Sequence, residues 1–152
     1  MGAYDESRAV GSAGLGRGVG YAGLNGNYLR VRMGDIGFAS AFDRLCMHEF
    51  VAQPPSGVRT LDVAKALLDH GVHPMTVYFP LVVKEAMMVE PTETEALETL
   101  DAYALVLKTV LERAAEDPDY LAGAPYHTPV RRLDEVRAAR QPVLSYAFDE
   151  SA

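Results

Sequence analysis

Cysteine is nearly missing from this chain: Cys46 stands alone, and tryptophan does not occur. A single thiol excludes an internal disulfide and any zinc site built from several thiolates. Basic residues are scarce as well, with 14 Lys and Arg against 21 Asp and Glu and a formal net charge of −7. Nucleic-acid binders carry a basic stripe that neutralises phosphates. Here the adjacent basic pair, Arg131–Arg132, is followed at once by Asp134 and Glu135. Long apolar runs are lacking too. Val77–Val83 is broken by Pro80 and is far shorter than the roughly 20 residues a membrane-crossing helix needs. The opening Met1–Ser7 has none of the basic-then-apolar layout of a signal peptide. These absences predict a soluble, cytoplasmic protein with no nucleic-acid and no membrane partner.

What is present suits one folded unit: 152 residues, 49% of them hydrophobic, are enough for a single core. Composition shifts near Gly37, because nine of the 13 glycines lie between Gly11 and Gly37. Within that stretch Leu15, Val19, Ala22, Asn25 or Gly26, and Leu29 recur at helical spacing, which predicts a helix over 14–33. Each interior glycine costs about 0.5–1 kcal/mol relative to alanine, so this helix depends on packing.

Cys46–Val51 reads as a strand. Thr60 reads as the cap of a helix over Leu61–Leu68, with Gly71 as its stop. Thr76–Pro80 and Ala86–Glu90 read as short strands between breakers. Thr92-Glu93-Thr94-Glu95 fits a capping box. Behind it Leu97, Leu100, Ala104, Leu107 and Leu111 form an apolar stripe that runs to Asp117-Pro118. A short helix over 119–122 and another over 130–139 follow. The order predicts an α+β fold, a small, mainly antiparallel sheet with helices on one face. The expected organisation is a flexible segment 1–13, one domain over 14–146 and a flexible tail 147–152.

No self-sufficient catalytic constellation emerges. Gly18-Val19-Gly20-Tyr21-Ala22-Gly23 has the spacing of a dinucleotide loop, but no strand leads into it. Cys46 and His48 would share a strand face, although a strand cysteine is more often a small buried hydrophobe. His70 and His73 are split by Gly71 and followed by Pro74, so no metal site is expected. Glu93 and Glu95 suit the start of a helix dipole, while Glu90 ends an apolar strand and is harder to explain structurally. Lys65, Lys84 and Lys108 are the only lysines, and none has the desolvated setting of a Schiff-base lysine.

Six segments carry a more specific signal. They are Leu24–Leu29, Cys46–Val51, Arg59–Lys65, Gly71–Pro80, Met88–Glu95 and Thr128–Val136. In this order they resemble the C-terminal part of the glycine cleavage system P-protein, glycine dehydrogenase (aminomethyl-transferring). The likeness is strongest to the second subunit of the two-subunit bacterial form. The resemblance implies the small C-terminal domain of an aspartate-aminotransferase-like fold and pyridoxal phosphate as cofactor. It implies decarboxylation of glycine with transfer of the aminomethyl group to the lipoyl arm of the H-protein. The family's cofactor lysine lies in a large domain upstream of everything present here. No catalytic residue is therefore expected in this chain, and the chain is expected to be inactive without that domain or the other P-protein subunit. His48, Glu49, His73, Thr76, Glu90, Thr92 and Glu93 are the positions expected near substrate or partner, with His73, Thr76 and Glu90 nearest the entrance. The alternative is a non-catalytic module that docks on P-protein or H-protein; a weaker one is a small ligand-binding regulatory domain.

Overall fold

The computed structural model describes residues 2–145. Nine elements follow in chain order: α1 (Gly2–Asp35), β1 (Ala39–Ser40), β2 (Phe50–Gln53), α2 (Thr60–Asp69), β3 (Thr76–Val77), β4 (Met87–Val89), α3 (Leu97–Glu116), α4 (Pro118–Gly123) and α5 (Glu135–Arg140). The strands form one sheet in the order β1-β2-β4-β3, and every pairing is antiparallel. Phe50 pairs with Val89, Ala52 with Met87 and Val77 with Met87, so these side chains share one face. Phe50, Ala52, Met87 and Val89 on that face join Leu29 and Met33 of α1, Val63 and Leu67 of α2, and Leu100, Leu107 and Val110 of α3 in the core. Val51, Met88 and Thr76 point the other way. The expected class, a small antiparallel sheet with helices on one face, is what forms.

Several local expectations change under tertiary contacts. The first helix begins at Gly2, not at 14, and is kinked at Gly11, whose φ of 66° breaks the helical run. Residues 2–13 belong to this kinked helix and are almost entirely exposed. Only Gly14, Gly26, Leu29 and Met33 are buried along α1, so the stripe holds from Gly26 onward while Leu15 and Val19 face solvent. The tail 147–152 lies outside the described residues.

Thr60 is the first residue of α2 and not its cap. Its amide donates to Glu85 Oε2 and its hydroxyl to Glu85 O, both at 2.7 Å, which ties α2 to the entry of β4. The helix stops as expected. Gly71 adopts φ 69°, its amide donates to Leu68 O, and the Val72 amide donates to Leu67 O, the paired bonds of a Schellman ending.

The capping box does not form. Thr92–Glu95 is a turn, and α3 starts at Leu97 behind Ala96, with no side-chain cap. Asn25 takes over the turn by donating its amide to Thr92 O (2.8 Å) and Glu95 O (3.1 Å), while the Thr92 hydroxyl bonds that of Thr94. Leu97 is consequently exposed, and Leu100, Ala104, Leu107, Val110 and Ala114 form the buried stripe.

α4 opens at Pro118, where Asp117 Oδ1 accepts from the amides of Asp119 and Tyr120. α5 starts at Glu135 instead of 130, with Asp134 as its cap, whose carboxylate accepts from the Arg137 amide. Arg132 donates to Asp62 Oδ1 (2.7 Å), Ala124 O (2.6 Å) and Leu121 O (3.3 Å). Asp69 accepts from the amides of Tyr126 and His127, and the Tyr126 ring stacks on Tyr120 at 5.0 Å. These contacts bind residues 123–134 onto α2 and α4.

Candidate functional site

Antiparallel pairing of β2 with β4 places the start of one strand beside the end of the other. Phe50 opposes Val89, so His48 and Glu49, just before β2, come next to Glu90, just after β4. His48 Nε2 lies 3.8 Å from Glu90 Oε1. Both side chains are more than half exposed, so solvent screens the pair and it contributes little to stability. The pair sits between two clefts. One, of about 540 Å³, runs from His48 through Glu90, Thr92 and Glu93 to Leu15 and Val19 of α1. Glu90 also borders a second cleft of about 680 Å³ that is lined by His73, Thr76 and Tyr103.

The expected positions therefore gather in two groups that meet at Glu90. His48, Thr92 and Glu93 lie on one side of it, and His73 and Thr76 lie on the other. Glu49 faces a third cleft of about 490 Å³ on the uncovered side of the sheet, which His48 also borders. Cys46 and His48 do not share a strand face; both lie in the loop before β2. Burial pushes the Cys46 thiol above its ordinary value, the opposite of an activated nucleophile. The glycine pattern at 18–23 lies wholly inside α1, so it forms no phosphate loop.

The residues that hold this region in place carried no assigned role in the sequence reading. Asn27 donates to Cys46 O at 2.7 Å and accepts from the Cys46 amide at 3.1 Å, pinning the loop that presents His48. A Cβ on Gly23 would stand 2.9 Å from Met47 O, and one on Gly26 would stand 3.3 Å from Cys46 Sγ. These two glycines let the helix backbone approach the loop. Tyr28 donates to Asp101 Oδ1 at 2.6 Å, which docks α1 on α3 and raises the phenol above its ordinary value. The cue was the Leu24-Asn25-Gly26-Asn27-Tyr28 run itself, with two amides and a glycine where a plain amphipathic helix has aliphatic residues.

Pyridoxal phosphate enzymes hold their cofactor through a lysine amine in a walled site. The residues of this chain do not fit that requirement. Lys108 is exposed and pairs with Glu112 at 3.7 Å, and Lys84 is exposed. Lys65 borders a shallow cleft beside Arg132 and Leu133. None of these lysines lines the three clefts around His48 and Glu90. Among the described residues no group of three His, Cys, Asp or Glu is arranged to hold a metal ion, and no helix is long and apolar enough to cross a membrane.

Residues 19–119 match the family model described as glycine dehydrogenase, C-terminal domain. The chain belongs to that family. A probable glycine dehydrogenase (decarboxylating) subunit 2 from Desulforamulus reducens is 53% identical over 149 residues, covering 95% of this chain and 31% of the relative. The protein of the same name from Thermus thermophilus is 54% identical over 148 residues, covering 97% of this chain and 30% of the relative. That from Thermosipho africanus is 48% identical, covering 97% and 32%. The chain thus spans about a third of the length of the curated relatives it matches. A solved glycine decarboxylase (P-protein) of the glycine cleavage system, in inhibitor-bound form, has the same fold at a TM-score of 0.62 and 21% identity. The superposition covers 68% of this chain and 23% of that one. In this glycine dehydrogenase C-terminal domain Glu90 lines two of these three clefts, and His48 lines one of those two and the third.

Proposed function

We propose that this chain acts as the C-terminal domain of a pyridoxal-phosphate-dependent glycine dehydrogenase (decarboxylating). The assembled enzyme would decarboxylate glycine and pass the aminomethyl group to the lipoyl H-protein. The observation that carries this reading is about 50% identity to subunit 2 proteins over nearly the whole of this chain. The cofactor, its lysine and the decarboxylating chemistry belong to the part of the relatives that has no counterpart here. That part, or the other P-protein subunit, is the partner the domain serves. Its own contribution is positional. Glu90, His48, His73 and Thr76 form a polar rim at the mouth of the clefts, and Thr92 and Glu93 extend it toward α1. Glycine or the H-protein's lipoyl arm would enter along this rim. The test is Glu90→Gln in a complete relative carrying this domain, read by glycine–bicarbonate exchange. A fall in exchange by about tenfold, the size expected for a lost charged contact, supports the rim assignment. Unchanged exchange removes Glu90 from it. Glycine turnover by this 152-residue chain unaided would overturn the placement of the chemistry elsewhere.

A second reading is a non-catalytic module that docks on P-protein or H-protein. It is favoured by the apolar loop around Phe79, Leu81 and Val82, the last two almost fully exposed. Sedimentation of the chain with each protein separates the readings. Stable association without any effect on exchange would support the module.

A further inference from the structure

We propose that the cleft on the uncovered face of the sheet binds a small organic carboxylate with an apolar body, its headgroup held by Arg30 and Arg44. This inference does not rest on the decarboxylase reading. The cleft holds about 490 Å³ and is lined by both arginines, with Val51 and Met88 of the sheet as its floor and Phe42 and Phe79 beside them. Arg30 projects from the packed half of α1. Its Nε is shut off from solvent and has no hydrogen-bond partner. Buried donors are almost always paired, because an unpaired one keeps the full cost of lost hydration. Among the described residues no carboxylate lies within 4.0 Å of Arg30 or Arg44, in a chain with seven more acids than bases (21 − 14). Two guanidinium groups that border one cleft without counter-charges call for an external anion.

The guanidinium fork suits a planar carboxylate, which it grips through two parallel hydrogen bonds. The walls decide the rest of the ligand. Phe42 and Phe79 are about half exposed across an aliphatic floor, so an aromatic or branched body would cover surface that water now wets. Glycine or an inorganic ion reaches the arginines but leaves these walls uncovered. Glu49 also lines the cleft, as do His48 and Cys46; Glu49 adds a like charge that weakens anion binding without pairing either arginine.

Calorimetric titration of the full chain with 4-phenylbutyrate, its neutral amide, inorganic phosphate and glycine tests the proposal. Phenylbutyrate is expected to bind, with the amide weaker by about tenfold or more because charged hydrogen bonds are lost. Arg30→Gln should weaken the carboxylate by a similar factor, Arg44→Gln by less because that side chain is exposed. Glu49→Gln should tighten it. Equal affinity for the amide, or phosphate or glycine binding as tightly as phenylbutyrate, would overturn the proposal. So would unchanged affinity in a folded Arg30→Gln. Should Arg30→Gln fail to fold, the amide comparison and Glu49→Gln still decide.

Discussion

Replacing Arg132 with alanine attacks the point where the C-terminal strap is fastened. Asp62 is 5% exposed, and its carboxylate accepts from Arg132 Nη2 at 2.7 Å. The same guanidinium serves the carbonyls of Ala124 and Leu121. Truncation leaves a buried carboxylate and two carbonyls to find other partners. Removing one member of a fully buried ion pair costs about 3–5 kcal/mol. The Arg132 side chain is 31% exposed, so water reaches part of the site, and we expect about 2–4 kcal/mol. That is a large part of the roughly 5–15 kcal/mol that separates a domain from its unfolded state. Urea unfolding followed by circular dichroism measures it as a lower midpoint at unchanged slope. Asp62→Ala alone and combined with Arg132→Ala completes a double-mutant cycle, with an expected coupling of about 1–3 kcal/mol. A loss below about 0.5 kcal/mol for Arg132→Ala, with additive effects, would refute the reasoning that this pair fastens the strap.

Three further outcomes are expected. Gly16→Ala and Gly20→Ala, where an added Cβ meets nothing within 4 Å, should each stabilise by about 0.5–1 kcal/mol. Gly23→Ala should give no such gain, because its Cβ would press on Met47 O; equal thermal shifts for all three would show that α1 does not rest on that loop. Tyr103→Phe should be neutral or stabilising by up to about 1 kcal/mol in denaturant unfolding, since its buried hydroxyl has no partner. The same burial raises the Tyr103 phenol above its ordinary value, so the folded state keeps a proton that the unfolded chain loses near pH 10. That contribution is complete below the unfolded value and is lost as pH rises through the alkaline range, so stability should fall more steeply in the native protein than in Tyr103→Phe. Parallel pH curves would contradict it.

The fold class, the family and most of the element order were legible in the sequence because they depend on local pattern, but the two-residue edge strand β1 (Ala39–Ser40) was not. The 3–4 spacing through Leu100, Ala104 and Leu107, the β-branched and apolar runs between breakers, and a glycine after Asp69-His70 each act within a few residues. Element boundaries were decided elsewhere. Thr60 and Thr92 carry good local cap chemistry, yet Glu85 claims the first, and the turn at the second is held by Asn25, which is 67 residues away. A local preference of about 1 kcal/mol yields to several tertiary hydrogen bonds acting together. The gathering of His48, His73, Thr76 and Glu90 around two clefts that share Glu90 likewise follows from the antiparallel register of β2, β4 and β3, which no single segment specifies. So does the unpaired Arg30, which reads as a surface helix residue until the sheet's far face is built beside it. Sequence alone determined what each segment prefers, because those forces are short-ranged. Tertiary structure decided which preferences survived and which side chains meet, because hydrogen bonds and burial act on whatever the fold brings together.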